Sequence, residues 1–276
     1  MSIKDIKIIF ISIISCLLLS IGYKKYQDYL ALKAYNAKYN YRLHEQENAL
    51  VKINDYNTTK LFFEPYNDGN YYTVPCIDIS GFQEEIDFNK VKEVGIDYVY
   101  IRIGSRGYTK GALYEDGWFD KNYEQAKAAG LKVGTYFFSQ SITINEAIEE
   151  AFFVEQHLNG RELDLEVVYD FEYIGAEGAR ADKLSNELKS DMALAFCQKI
   201  EEFGYKPMIY ANYDQLTNYY NLERVMNYPI WYAEYDVKVP TWDKEYVMWQ
   251  FTPSGEVPGI TGDVDLNYKI IKIGEE

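Results

Sequence analysis

From Tyr72 onward, short apolar runs alternate with amphipathic segments of helical period, and this alternation restricts the possible folds more than any other feature. Residues 74–79 and 98–103 are two of the apolar runs, and residues 121–129 form a predicted helix that stops at Gly130. Strands that alternate with helices lie parallel, because each helix returns the chain to the start of the next strand. The pattern therefore predicts a parallel α/β fold.

The remainder of the chain continues this alternation. Further predicted strands are residues 132–138, 166–169, 207–210, 229–232, 246–251 and 262–265, and further predicted helices are residues 145–158 and 188–203. About eight strands in about 200 residues predict a compact (β/α) barrel. The spacing between strands shrinks after Tyr210, so the last helices are expected to be short or missing and the second half irregular.

One predicted strand, in the segment VVYDFEY at residues 167–173, leads into two carboxylates. Side chains alternate along a strand, so Asp170 and Glu172 share one face and Phe171 takes the other. Like charges about 6–7 Å apart on a buried face cost free energy. Three interpretations stay open: the two groups are solvated at the strand end, they bind a cation, or they perform acid–base chemistry.

Other predicted strands also end in acidic or aromatic residues. Asp78 ends the first strand and Asp265 the last, while the intervening ends carry Tyr136, Tyr210 and Trp231. Active sites of such barrels lie at the carboxyl ends of the strands. A single acid there is more often a cap or a solvated loop residue, but several acids among aromatic rings are typical of a sugar-cleaving site.

Charge and the scarcity of histidine and cysteine disfavour several kinds of function. The net charge of −15 argues against binding to nucleic acid, which requires neutralisation of phosphates. His44 and His157 stand in no recognisable motif, and Cys76 and Cys197 are predicted to be buried free thiols. Because no histidine or cysteine joins the acids, we expect neither a metal site nor a cofactor.

The N-terminal residues predict a membrane segment that is separate from the fold. Residues 6–23 are almost wholly apolar and are flanked by lysines, which indicates an uncleaved signal anchor over residues 1–25. Cleavage as a signal peptide and lipidation at Cys16 are the alternatives, and all three place the remainder outside the cytoplasm. Residues 26–71 are interpreted as a partly helical stalk, or else as an extra helix on the domain of residues 72–276.

Eight short motifs between Cys76 and Asn267 carry a family resemblance. In chain order they are CIDISGFQ, YVYIRIGSRGY, KNYEQAKAAGLKVGTYFFSQ, VVYDFE, IYANYD, WYAEYD, MWQF and DVDLN. Together they resemble glycoside hydrolase family 25, the Chalaropsis-type N-acetylmuramidase lysozymes. The resemblance implies a flattened, irregular TIM-like (β/α) barrel that hydrolyses the β-1,4 bond between N-acetylmuramic acid and N-acetylglucosamine in peptidoglycan.

The resemblance also implies roles for individual residues. Glu172 matches the general acid, and Asp170 matches its partner, which either stabilises the substrate's own N-acetyl group or acts as a nucleophile. Asp78 and Asp265 match supporting acids of the pocket. The residues expected to bind substrate are Arg102, Tyr136, Tyr210, Trp231, Tyr235, Trp249 and Gln250. Glycan strands of peptidoglycan are the implied partner of a monomeric enzyme in the cell envelope.

Two expectations concern protons and substrate subsites. Acidic neighbours and aromatic rings should raise the pKa of Glu172, whereas Asp170, nearer a polar floor, should stay ionised. Phe137 stands where many family members have histidine and is expected to alter a subsite, while Glu166 replaces a frequent proline. Two alternatives to a muramidase remain, namely a glycan-binding module with little activity and a cation-dependent hydrolase.

Overall fold

A computed structural model of the chain describes residues 70–237 and 240–274. The predicted anchor, and the predicted stalk up to residue 69, lie outside the described residues. Within the described ranges, no helix is both long enough and apolar enough to span a bilayer.

One sheet of nine strands is present in the described residues. The strands are β1 (Tyr71–Ile79), β2 (Tyr98–Arg106), β3 (Leu113–Glu115), β4 (Lys132–Ser139), β5 (Val167–Phe171), β6 (Pro207–Asn212), β7 (Ile230–Ala233), β8 (Met248–Gly255) and β9 (Val264–Lys272). They follow the order β1-β9-β8-β7-β6-β5-β4-β2-β3, and β1 also pairs with β2. Eight strands therefore close into a barrel, and β3 extends β2 as an antiparallel edge. The predicted α/β barrel is confirmed, with β3 as a strand that the sequence pattern does not indicate.

The direction of the last strand corrects the prediction of an all-parallel barrel. β9 runs antiparallel to both β1 and β8, whereas the other barrel strands are parallel to their neighbours. No helix lies in residues 256–263, all of which the structure describes, so the chain turns directly back along the sheet. As a result Asp265 stands near the start of β9 rather than at a strand end, and it pairs with Asp78 across the sheet.

Helices cover the barrel in its first half more than in its second. The described residues contain α1 (Phe88–Glu93), α2 (Phe119–Ala128), α3 (Ile144–Leu158), α4 (Asn186–Glu202) and α5 (Leu222–Val225). The Thr143 side chain caps α3 by accepting from the Glu146 amide, and Asn159 ends it at a φ of 48°. The six-residue α1 is too short to show a helical period in the sequence. After β6 the helices become short, as predicted, because only a π-helical turn (Gln215–Tyr219) and α5 precede β7 in these fully described residues.

The strands separate two apolar cores. Inward side chains such as Tyr100, Met208 and Trp231 fill the barrel, and outward side chains pack beneath the helices. Alternate residues of each strand enter different cores because successive side chains point to opposite faces. Cys76 lies inside the barrel and Cys197 beneath the helices, and both are buried and free, which confirms the prediction for these thiols.

A buried ion pair crosses the barrel at the end where the parallel strands begin. The Lys269 ammonium of β9 lies 2.7 Å from a carboxylate oxygen of Glu166, which precedes β5, and Tyr100 donates its hydroxyl to the same carboxylate. Burial alone would raise the pKa of Glu166, but the Lys269 charge and these hydrogen bonds hold it below its ordinary value. The pair therefore joins β5 and β9, the strands that carry Asp170 and Asp265.

Removing the cation from this pair is expected to destabilise the fold. Lys269→Met leaves the Glu166 carboxylate buried without its partner and should lower the free energy of unfolding by about 3 kcal/mol at neutral pH. Adding Glu166→Gln removes the orphaned charge, keeps an acceptor for Tyr100, and should recover about half of that loss. Urea denaturation of both variants measures these differences.

Lys127→Met is the matched control for an exposed pair. Lys127 lies 2.7 Å from Asp164, but 34% and 33% of the two side chains remain exposed. Its removal should cost less than about 1 kcal/mol, because solvent screens the interaction. Equal losses for Lys127→Met and Lys269→Met would contradict a structural role for the buried pair.

Candidate active site

A cleft of about 350 Å³ opens at the end of the barrel where the parallel strands finish. Acidic side chains reach it from three places: Asp78 from β1, Asp170 and Glu172 from the end of β5, and Asp265 from β9. The remaining lining residues are Ser80, Phe82, Gln83, Arg102, Tyr136, Phe138, Tyr210, Trp231, Tyr235 and Gln250. Four carboxyl groups and several aromatic rings therefore meet in one cleft.

The Asp78 carboxylate is held by two amide side chains. Gln250 and Asn267 donate hydrogen bonds to Asp78 Oδ2 over 2.9 and 2.8 Å. The indole of Trp231 donates in turn to Asn267 Oδ1 over 2.9 Å, which orients that amide. Hydrogen bonds to an ionised acceptor are short and directional, so they restrict the carboxylate to one orientation. Asp78 is therefore a fixed point of the cleft wall.

Two tyrosines set the orientation of Gln250. The hydroxyls of Tyr210 and Tyr235 donate to Gln250 Oε1 over 2.8 and 2.6 Å. Because the amide oxygen accepts from both tyrosines, the amide nitrogen is turned toward Asp78. Tyr210 lies in β6, Tyr235 follows β7 and Gln250 lies in β8. The network therefore joins three neighbouring strands to β1 at the level of the carboxyl groups.

Asp170 and Glu172 differ in their surroundings. Asp170 is buried, and its Oδ1 accepts no hydrogen bond from any described residue. Glu172 is half-buried, and its backbone carbonyl accepts a hydrogen bond from the Gln140 side chain over 2.8 Å. The Gln215 side chain donates to the Phe171 carbonyl. These two amides hold the backbone at the end of β5, while both carboxyl groups line the cleft.

Burial raises the pKa of all four carboxyl groups, and repulsion by neighbouring carboxylates adds to the rise for Asp170, Glu172 and Asp265. Burial raises the pKa of Asp78 to about 6 despite its hydrogen bonds, and burial together with the charges of Asp78 and Glu172 raises the pKa of Asp265 to about 8. The pKa of Asp170 rises well above its ordinary value, first through burial and then through Glu172. The pKa of Glu172 rises through burial and through the Asp78 charge. The cleft therefore retains protons near neutral pH.

The environment of Asp170 differs from the expected polar floor. The carboxyl is buried, no described residue donates to its Oδ1, and its pKa lies well above the ordinary value. Of the described residues that line the cleft, Arg102 alone carries a positive charge, and it lowers the pKa of Asp170 in opposition to burial. Arg102 Nε also bonds Asp116 Oδ2 over 2.8 Å, so its charge is shared between carboxylates.

Two residues expected at the cleft lie on the outer side of the barrel wall. Trp249 precedes the inward-facing Gln250, so strand alternation turns its ring into the core beneath the helices. Phe137 alternates in the same way with Tyr136 and packs against Phe153, with ring centroids 5.5 Å apart. Neither Trp249 nor Phe137 therefore lines the cleft.

Several cleft residues were missing from the predicted site. Phe138 lies two residues after Tyr136, and Asn267, which bonds Asp78, lies two residues after Asp265. Because side chains alternate along a strand, both residues can be identified once one inward-facing residue of each strand is known. The other lining residues outside the prediction lie in or before the 3-10 turn Gly81–Gln83, where a loop has no periodic signal, and they are Ser80, Phe82 and Gln83.

Comparison with known proteins finds a family match over most of the barrel. The model of the glycosyl hydrolases family 25 matches residues 77–260. The autolytic lysozyme of Clostridium acetobutylicum is 34% identical over 194 residues, which are 69% of this chain and 54% of that protein. This chain thus spans about half the length of that relative.

Two further proteins extend the likeness. Lysozyme M1 of Streptomyces globisporus is 28% identical over 204 residues, which are 70% of this chain and 67% of that protein. The solved structure of a bacterial lysozyme from Streptomyces coelicolor aligns with a TM-score of 0.60 at 27% identity, over 70% of this chain and 90% of that one. The similarity therefore includes the arrangement of the strands as well as the sequence.

Because the pKa of Asp265 is raised, we expect Asp265→Asn to increase the free energy of unfolding by an amount that depends on pH. Between pH 3.8 and about pH 8 the unfolded chain has released the proton that folded Asp265 retains. The group therefore makes folding less favourable as the pH rises through that window. Asp265→Asn should raise the free energy of unfolding by about 1–2 kcal/mol at the upper end of the window and by much less at the lower end.

Asp263→Asn is the matched control, because Asp263 is exposed in the same segment. It should change stability far less than Asp265→Asn across the whole pH range. Thermal unfolding of the two variants and the wild type, recorded at both ends of the window, measures the difference. A stabilisation by Asp265→Asn that is as large in acid as at alkaline pH would contradict the raised pKa.

Proposed function

The chain belongs to glycosyl hydrolase family 25, and on that basis we propose that it is a lysozyme-type glycoside hydrolase, an N-acetylmuramidase. Its substrate would be peptidoglycan, in which it would hydrolyse the β-1,4 bond between N-acetylmuramic acid and N-acetylglucosamine. The single observation that carries this proposal is the meeting of four carboxyl groups in one cleft lined by aromatic rings. Glycosidases use paired carboxyl groups as acid and as nucleophile or stabiliser, and this site offers both.

Glu172 is proposed as the general acid. A general acid must hold a proton at the working pH, and burial together with the Asp78 charge raises the pKa of Glu172. Glu172 is half-buried in the cleft wall, so a glycosidic oxygen in the cleft can approach its carboxyl group. Glu172 would protonate that oxygen as the bond to the leaving sugar breaks.

Asp170 is proposed to stabilise positive charge at the anomeric carbon. Either the acetamido group of the substrate attacks that carbon and forms an oxazolinium ion, or Asp170 attacks it as a nucleophile. The Arg102 guanidinium favours ionisation of Asp170 and so opposes the burial that raises the pKa of this group. Asp170 lines the cleft, so its carboxylate would lie beside the charge that develops on the bound sugar.

The other acids and the rings are proposed to support this pair. Asp78 and Asp265 face each other across β1 and β9, and the Asp78 charge helps keep protons in the cleft. Trp249 would act indirectly, because its indole donates to the Glu234 carbonyl over 3.0 Å and so holds the segment that carries Tyr235. The residues proposed to contact the sugars are Arg102, Tyr136, Tyr210, Trp231, Tyr235 and Gln250.

The proposed substrate places the reaction in the cell envelope. Residues 72–276 would form the catalytic barrel and act outside the cytoplasm as a monomer. Residues 1–25 are proposed to anchor the chain in the membrane, and residues 26–71 to hold the barrel away from it. Cleavage of the N-terminal segment would instead release the enzyme.

Glu172→Gln tests the assignment of the acid. The amide keeps the shape of the side chain but has no acidic proton to give, so turnover of purified peptidoglycan should fall by about a thousandfold. Release of soluble glycan fragments measures the loss, and Glu177→Gln, at an exposed position in the following loop, is the matched control.

Three outcomes of this assay separate the candidate functions. Near-wild-type turnover by Glu172→Gln would contradict the proposed acid. A wild-type chain that binds peptidoglycan without cutting it would favour the glycan-binding module. Loss of wild-type activity in a chelator would favour a cation-dependent hydrolase, although no group of three or more His, Cys, Asp or Glu side chains in the described ranges is placed to hold a metal ion.

The raised pKa values also predict a fall of activity in alkali. The pKa of Asp265 is about 8 and burial raises that of Glu172, so a higher pH removes the catalytic proton and adds like charges to the cleft. As the pH rises from acid into alkali, kcat/KM should decline once Glu172 loses its proton, by about tenfold per pH unit. A rate that stays constant or rises over that range would show that no raised carboxyl group acts as the acid.

A further inference from the structure

Exposed aromatic rings are concentrated on one face of the barrel. Seven aromatic residues of the described chain are among its exposed large hydrophobic residues. Phe152 lies on helix α3 and Tyr114 lies in the edge strand β3. The other five follow the carboxyl ends of barrel strands, and they are Phe82, Tyr108, Tyr173, Tyr213 and Tyr235. Exposing a large ring to water brings no benefit to folding, so this concentration requires an explanation.

The rings occupy two arcs of the barrel mouth. Tyr173, Tyr213 and Tyr235 follow β5, β6 and β7, which are consecutive in the sheet, and we call them the β5–β7 arc. Phe82 follows β1 and Tyr114 lies in β3, so they belong to the neighbouring strands β1, β2 and β3. The four carboxyl groups come from β1, β5 and β9. In the sheet, β1 and β5 belong to the two arcs, and β9 lies between the arcs.

Both arcs are continuous with the cleft. Phe82 and Tyr235 line the cleft and are nevertheless 83% and 37% exposed, so each ring extends from the site onto the outer surface. Tyr173 and Tyr213, which are 54% and 50% exposed, do not line the cleft, but Tyr173 directly follows the cleft residue Glu172, and Tyr213 follows β6, which carries the cleft residue Tyr210. A polymer that leaves the cleft over the ends of β5 and β6 would meet these rings.

Neighbouring side chains support the outer rings. Tyr173 packs against Tyr219 with ring centroids 5.9 Å apart, and Tyr213 packs edge-on against the buried Trp242, also at 5.9 Å. A ring supported in this way loses less conformational freedom when a ligand covers it. The outer rings are therefore suited to contact a flat, weakly polar surface.

The charge of the protein restricts what that surface can be. The chain carries a net charge of −15, and Asp214 and Asp182 lie close enough to Tyr219 to raise the pKa of its hydroxyl, after burial. The Lys189 ammonium lies 4.2 Å from the Tyr219 ring centroid but is buried, so it does not offer the exposed cationic partner that a phosphate polymer needs. Sugar rings present neutral C–H faces that pack on aromatic rings, and the cleft with which the arc is continuous is itself proposed to hold sugars.

We infer that the β5–β7 arc binds sugar units of a peptidoglycan strand beyond those at the scissile bond, so that the enzyme favours long strands over short oligosaccharides. This inference rests on the proposed function, because the occupant of the arc is the continuation of the proposed substrate. Tyr173 and Tyr213 are the residues that distinguish long strands, whereas Tyr235 contacts sugars in the cleft itself.

The test compares a long and a short substrate. For Tyr173→Ala and Tyr213→Ala, kcat/KM on polymeric peptidoglycan should fall by about fivefold per ring. On a tetrasaccharide of the same glycan without its peptides, kcat/KM should stay unchanged. Tyr173→Phe and Tyr213→Phe keep the ring and should restore wild-type values. Phe152→Ala removes an exposed ring from helix α3 and should affect neither substrate.

A binding assay separates failure of this inference from failure of the proposed function. Full-length Glu172→Gln protein is sedimented with insoluble peptidoglycan, with and without the two tyrosine-to-alanine changes. Weaker binding on loss of the rings would support glycan binding by the β5–β7 arc even if the wild type has no muramidase activity. Unchanged binding, equal losses on the long and short substrates, or a change from dimer to monomer on loss of the rings would overturn the inference.

Discussion

Four carboxyl groups share one end of a closed barrel, and the free-energy cost of bringing them together is the constraint on which the rest of the site depends. Burial raises the pKa of each group, with repulsion adding to it for three of the four, so part of the charge is removed by retained protons. The remaining charge is held by neutral donors and one cation: Gln250 and Asn267 bond Asp78, and Arg102 opposes the shift of Asp170. Tyrosines and an indole orient those amides in turn.

The alternation of side chains along each strand places polar groups in separate layers, from the end where the parallel strands begin to the cleft. Along β9, Asp265 faces the cleft, Asn267 bonds Asp78, and Lys269 pairs with Glu166 at the opposite end. Between these two polar layers the barrel is filled by apolar and aromatic side chains. The ion pair and the acids therefore lie on or next to the same strands and are separated by a packed core.

Much of this arrangement follows from the sequence, and the exceptions have identifiable causes. The barrel could be predicted because each of its strands is a short apolar run and most are followed by a helix or a short connection. The reversal of β9 could not, because a strand reads the same in either direction, and only the lack of a helix in residues 256–263 signals a turn back. Trp249 was placed on the wrong face because a motif identifies a segment without its register. The burial of Asp170 depends on contacts from several strands, which no local pattern contains.

The most direct test of the central claim is the identity of the sugar ends that the enzyme creates. Full-length protein is incubated with purified peptidoglycan, the products are reduced, and the released fragments are analysed by mass spectrometry. The account predicts that every new reducing end is N-acetylmuramic acid and that these ends are absent with the Glu172→Gln protein. New ends on N-acetylglucosamine, cleavage confined to the peptides, or a glycan that remains intact would contradict it.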